Sequence, residues 1–154
     1  MRIYTDGSTK TISGIAFIVT NEKHKVLYRD MKATETNDNN IAELQAIDFA
    51  LQSTQEMASK SLTIFTDSAY AIKRIYQAKH LRPEEIYLVM RIRQQLAIRN
   101  GKMFWIKGHC QDGTVLSHFN HQVDALSKVA RKNRELELER AKPKSRFFRK
   151  WRER

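Results

Sequence analysis

The sequence predicts an α/β fold built on a five-stranded mixed sheet, and three observations predict it. Strand-like runs with alternating apolar residues open the chain, segments with apolar residues at helical spacing follow, and short strand-like runs return between those segments. The resulting order is βββαβααβα. Three successive strands with short polar breaks read as an antiparallel meander. The first, fourth and fifth strands are separated by helices, so they are expected to lie parallel.

In the first strand, Ile3 and Thr5 alternate with Tyr4 and Asp6. Ile15-Ala-Phe-Ile-Val19 and His24-Lys-Val-Leu-Tyr28 follow, parted by Thr20-Asn21-Glu22-Lys23. Asn37-Asp38-Asn39-Asn40 is a loop of helix-capping residues ahead of a helix in which Ile41, Leu44, Ile47 and Leu51 recur at helical spacing. Leu62-Thr-Ile-Phe65 is the fourth strand, and Ser68 caps a helix through Ala71, Ile72 and Ile75. Pro83-Glu84-Glu85 starts the third helix and Gly101 stops it, with Ile86, Val89, Met90 and Leu96 as its apolar stripe. Met103-Phe-Trp-Ile106 is the fifth strand, with Trp105 read as core. A loop from Gly108 to Phe119 leads to a last helix with Val123, Leu126 and Val129 or Ala130 facing inward.

At 154 residues, 41% hydrophobic and 29% charged, the chain suits one soluble domain with a real core. It has no run as long as a membrane span and no signal-peptide core, so a cytoplasmic protein with no membrane contact is expected; it is also expected to be a monomer. The single cysteine, Cys110, excludes an intrachain disulfide. Net charge is +11, and it is uneven. Residues 1–139 hold 20 Lys/Arg against 16 Asp/Glu, whereas residues 140–154 hold eight against one. This is the electrostatic footprint of a nucleic-acid binder, although basicity alone fits a solvated surface equally well.

Four acids stand out against that charge: Asp6, Glu43, Asp67 and Asp124. Asp6 and Asp67 each close a strand-like run and precede a small polar pair, Gly7-Ser8 and Ser68-Ala69, read as turns. Glu43 and Asp124 each sit near the start of a helix. In an open α/β sheet, ligands bind outside the carboxyl ends of the strands, where Asp6 and Asp67 are expected. Glu43 shares a helix face with Ala46, Ile47 and Ala50, so it points at the sheet, where an unpaired carboxylate is costly. Any one of these acids alone reads as a cap or a surface charge. Four anions in one place need cations between them, and hard divalent ions with oxygen ligands answer that need.

The segments Tyr4-Thr-Asp-Gly-Ser8, Asn39-Asn-Ile-Ala-Glu-Leu44, Phe65-Thr-Asp-Ser68, Trp105-Ile-Lys-Gly-His109 and Asn120-His-Gln-Val-Asp124 occur in series. In this order they resemble the ribonuclease H type 1 family over roughly residues 1–135. The resemblance implies a five-stranded mixed sheet with helices on both faces; with the charge break, a catalytic domain over 1–139 and a basic tail over 140–154 are expected. It implies hydrolysis of the RNA strand of RNA–DNA hybrids with two Mg²⁺ or Mn²⁺ ions, leaving 5′-phosphomonoesters. Asp6, Glu43, Asp67 and Asp124 would be the metal ligands, and His109 would move protons or help product depart. Gly7, Ser8, Asn39, Asn40 and Asn120 would contact the substrate. Asn39 and Asn40 match positions that meet the hybrid's minor groove, although they also suit helix capping.

Four features depart from the family's pattern. Thr9-Lys-Thr-Ile-Ser-Gly14 replaces a Gly- and Pro-rich loop, and Ala69 stands where Gln is common. The stretch from Asp67 to His109 is too short for the basic protrusion of many bacterial members, and the His109–Asp124 loop is longer than usual. A zinc site from His109, Cys110, His118 and His121 is disfavoured by its single cysteine and irregular spacing. The tail from Lys142 to Arg154 interleaves basic residues with Phe147, Phe148 and Trp151, a pattern suited to nucleic acid. The competing functions are a non-catalytic nucleic-acid-binding module on the same fold and a DNA-cutting relative.

Overall fold

A computed structural model describes residues 1–57, 61–109 and 112–143. Nine elements follow in chain order: β1 (Arg2–Thr9), β2 (Ser13–Thr20), β3 (Val26–Thr34), α1 (Asn39–Ser53), β4 (Leu62–Thr66), α2 (Ala69–Tyr76), α3 (Pro83–Ile98), β5 (Gly101–Trp105) and α4 (Val115–Ala141). The sheet order is β3-β2-β1-β4-β5. The first three strands pair antiparallel, and β1–β4 and β4–β5 pair parallel. Both the element order and the mixed sheet are those expected. No helix among the described residues is long and apolar enough to cross a membrane.

The alternation of β1 divides its side chains between two cores. Ile3 joins Leu44, Ile47 and Leu51 of α1, Ile75 of α2, and Val89, Ile92 and Leu96 of α3. Tyr4 turns the other way, onto Phe119 and Val123 of α4. Each fully buried Leu or Ile contributes roughly 1.5–3 kcal/mol. Two arginines tie helix ends to their neighbours. Arg93 donates to the Arg74, Ile75 and Ala78 carbonyls at the end of α2, and Arg99 donates to those of Leu51 and Thr54 at the end of α1.

Several local expectations are corrected. Gly7-Ser8 is not a turn: β1 continues to Thr9, paired with β2 through Gly7↔Ile15 and Ser8↔Gly14. Its parallel pairing with β4 ends at Tyr4↔Phe65, so Asp6 still lies just past the shared strand end. Asn39 and Asn40 belong to the first turn of α1; the cap is Asp38, whose side chain accepts from the Asn40 and Ile41 N–H groups. On α3 the inward stripe is Glu85, Val89, Ile92 and Leu96, while Ile86 and Met90 are exposed. Glu85 replaces an apolar residue there because Tyr70 Oη, the Arg82 N–H and Arg74 satisfy its carboxylate. Those partners hold its pKa below the usual range against the opposing effect of burial. Arg99 caps α3, and Gly101 opens β5. The loop after β5 ends sooner than expected, since Thr114 caps α4. Ala130, not Val129, faces inward there. Trp105 is half exposed, because β5 is an edge strand with no neighbour beyond it. Cys110 and residues 144–154 of the tail lie outside the described residues.

Candidate metal centre and nucleic-acid cleft

A cleft of about 400 Å³ opens where β1 and β4 part. Asp6, Glu43, Asp67 and Asp124 all line it, as do Gly7, Asn39, Asn40 and His109. The sequence spread these residues over more than a hundred positions; the fold brings them to one mouth.

Glu43 reaches the cleft because α1 lies unusually close to β1. A Cβ on Gly7 would come within 2.9 Å of the Ala42 backbone, so no larger residue fits without moving the helix. One Glu43 carboxylate oxygen, Oε2, is buried with no hydrogen-bond partner among the described residues. Asp6 is held from the opposite face, where Ser127 Oγ of α4 donates to its Oδ2 at 2.9 Å. Asp67 follows β4 directly; its carbonyl accepts from Trp105 Nε1 at 3.1 Å, and its Oδ2 faces Asn120 Nδ2 at 3.5 Å.

Asp6, Glu43 and Asp67 each offer an oxygen within 4.8 Å of the others. The electrostatic consequence is large. Burial pushes the Asp6 and Glu43 carboxyls well above the usual range, and neighbouring carboxylates push them further. Burial also raises Asp67, against the opposing hydrogen bond from Asn120. Asp124 stands apart from this trio. Burial would raise it too, but Lys128 Nζ, 2.8 Å from its Oδ2, more than offsets that and holds it low.

Three oxygen donors with no cation among them and a buried, unpartnered acceptor fit a hard divalent ion. Soft-metal chemistry is not suggested by this donor set, which contains no sulfur and no histidine nitrogen. Asp124 lines the same cleft, with Lys128 paired to its carboxylate.

A sequence profile of the RNase H family matches residues 1–132. The chain belongs to the RNase H family. Comparison with curated proteins gives no match. Among solved structures, the RNase H1 of the archaeon Halobacterium salinarum superposes with a TM-score of 0.72 at 17% identity, over 86% of this chain and 97% of that one. The N-terminal RNase H domain of Rv2228c from Mycobacterium tuberculosis, solved as a maltose-binding-protein fusion, gives 0.74 at 16% identity, covering 89% and 98%. LC11-RNase H1, isolated from compost by a metagenomic approach and solved in complex with an RNA/DNA hybrid, gives 0.70 at 22% identity, covering 84% and 94%.

Within this RNase H fold the remaining predicted residues are unevenly placed. Asn39 and Asn40 face the cleft from the first turn of α1. Asn120 is buried with its amide towards Asp67. Ser8 does not line the cleft; its hydroxyl accepts from the buried Arg131 of α4. His109 sits at the mouth with a left-handed backbone, φ 54°. The sequence reading missed Ser127, Lys128 and the placement of His121. A small cavity is shared by His121, His109, Asn120, Asp67 and Asp124. Positions 120, 121, 124, 127 and 128 recur at spacings of three and four along α4, and that recurrence was the available signal.

Proposed function

We propose that this chain is a metal-dependent endoribonuclease that hydrolyses the RNA strand of RNA–DNA hybrids by a two-metal mechanism, releasing 5′-phosphomonoesters. One observation carries the reading: four carboxylates meet in one cleft, with Glu43 Oε2 buried and unpartnered. Nucleic-acid binding alone gives no reason to bear that cost. Membership of the RNase H family and the likeness to LC11-RNase H1 with its RNA/DNA hybrid support the same substrate.

Asp6, Glu43, Asp67 and Asp124 would hold two Mg²⁺ or Mn²⁺ ions. When bound there, such ions would supply an activated water and stabilisation of the leaving oxygen. The chain does the rest. Ser127 fixes the orientation of Asp6, Gly7 lets Glu43 approach, and Asn120 steadies Asp67. Asn39 and Asn40 donate to and accept from 2′-hydroxyls and base edges in the minor groove, which marks the strand as RNA. Gly7 and Ser8 lie along the strand that borders this groove, and His109 passes a proton to the departing oxygen or helps product leave. The catalytic domain covers 1–139, and the basic tail 140–154 adds phosphate contacts. The enzyme works as a cytoplasmic monomer.

The test is cleavage of a labelled hybrid, an RNA duplex and a DNA duplex, with and without Mg²⁺. Metal-dependent cutting of the hybrid's RNA strand alone is expected. Equal cutting of the DNA duplex would overturn the substrate assignment.

A further inference from the structure

The modest surplus of the core conceals a segregated charge. Residues 69–82, which span α2 and the chain after it, hold Lys73, Arg74, Lys79 and Arg82 and no acid. Residues 98–109, which span β5, hold Arg99, Lys102 and Lys107 and no acid. These four and three cations give +7, whereas residues 1–139 as a whole carry 20 against 16, or +4. Everything else in that span is therefore net acidic. Arg74 and Arg82 are engaged by Glu85, and Arg99 caps α1. Lys73, Lys79, Lys102 and Lys107 are exposed, and among the described residues none has an acid within ion-pair distance.

Large aromatic rings stand in the same place. Trp105, Tyr76 and Phe104 are each half exposed. Two of them are fixed by their polar ends: Trp105 Nε1 donates to the Asp67 carbonyl, and Tyr76 Oη accepts from the Met103 N–H at 2.9 Å. The Tyr76 anchor and Trp105 are two residues apart on one strand, roughly 7 Å. Phe104 points to the opposite face of the sheet, beside Phe65, where α4 lies over β1, β2 and β3. Ordered rings with open faces, among unpaired ammonium groups, suit bases and phosphates of an unpaired strand. A duplex offers no free base faces to stack on. A second copy pairing with the β5 edge would have to bring its own lysines against these.

We propose that the α2–β5 edge is a binding surface for an unpaired nucleic-acid strand flanking the hybrid, with Trp105 and Tyr76 as stacking platforms. Lys73, Lys79 and Lys107 neutralise its phosphates, whereas Lys102 shares the opposite face of β5 with Phe104. The Trp105 anchor on Asp67 makes this surface continuous with the cleft, so a strand leaving the cleft passes onto it. The hybrid's place in that cleft rests on the proposed function; the affinity of the edge for an unpaired strand does not.

The experiment uses the full chain in EDTA, so that nothing is cut, and measures binding by fluorescence anisotropy. The probes are a blunt hybrid, the same hybrid with an unpaired extension on the RNA or on the DNA strand, and the unpaired oligonucleotide alone. The extended hybrid should bind about tenfold tighter than the blunt one, as one base stacked on an aromatic ring provides. Trp105→Ala and Tyr76→Ala should each lower that ratio, and the two together should bring it close to one. A Lys73→Glu/Lys107→Glu double variant, which leaves both rings in place, should also reduce it. Using a ratio within each variant cancels any general loss of folded protein. Equal binding of blunt and extended hybrids by the unmodified chain would overturn the proposal, as would a ratio that survives both ring substitutions. A dimer broken by Trp105→Ala, with no effect of the extension, would overturn it in favour of self-pairing. Failure of the hydrolase reading would appear separately, as no cleavage of the blunt hybrid when Mg²⁺ is restored.

Discussion

Asp67→Asn removes one charge from the acidic trio and keeps its shape, and it should make the metal-free protein more stable. Two full charges 4.8 Å apart, the distance within which all the ligand oxygens lie, repel by about 3.5 kcal/mol at an effective dielectric constant of about 20. The unmodified protein escapes part of this by keeping protons on Asp6 and Glu43, whose carboxyls burial and neighbouring charges push well above the usual range. The gain should therefore be a fraction of the full repulsion, about 1–3 kcal/mol at pH 8. A carboxyl with a raised folded-state pKa binds its proton more tightly folded than unfolded. Its contribution thus falls as pH climbs from the unfolded value, near 4, towards the folded one. The advantage of D67N over the unmodified chain should accordingly be larger at pH 8 than at pH 5.5. Thermal melts in EDTA measure it, and each kcal/mol moves Tm by roughly 2–4 °C in a domain of this size. Mg²⁺ should reverse the order, because an ion at a hundred times its Kd adds about 2.7 kcal/mol to the unmodified chain. D67N should gain little and cleave no hybrid. A variant that melts lower in EDTA, or gains as much from Mg²⁺, would refute both the charge argument and the site.

Ser127→Ala deletes the donor to Asp6, a bond to a charged group worth about 1.5–3 kcal/mol, so half-saturating Mg²⁺ should rise roughly tenfold by calorimetry. Unchanged affinity would leave Ser127 a packing residue only. His109→Ala should slow hybrid cleavage by roughly 10²–10⁴-fold without weakening hybrid binding. Full turnover would pass the role to His121, which shares the small cavity with Asp67 and Asp124. Removing residues 141–154 takes away seven Lys/Arg; if about half engage phosphates, the log–log salt slope of binding should flatten by roughly 3 while maximal rate falls little. An unaltered slope would assign the tail to another partner.

Periodicity revealed the element order because both cores are apolar and each strand alternates between them. It misplaced Ile86 and Met90 because hydrophobicity alone does not say which side of α3 meets α1, and Glu85 holds the inward position through Tyr70 and two arginines. Trp105 was misread for a related reason: a strand reads the same in sequence whether it is central or at an edge. The four acids were legible because their segments occur in series. The side chains that hold them were not, since Ser127 meets Asp6 across 121 positions and no local pattern announces such a bond.

The clasp between Ser127 and Asp6 also has a bearing on how the chain folds. Asp6 lies in β1, and Ser127 and Asp124 lie in α4, more than a hundred positions further along the chain. A Cβ on Gly14 would collide with the Ser127 carbonyl, so this helix seats directly against the backbone of β2. Every strand of the sheet can pair while the fourth acid is still missing and Asp6 still lacks its donor. A chain in which α4 has not yet seated thus lacks one of the four acids proposed to hold metal, and tight uptake of divalent metal is expected only once that helix has docked.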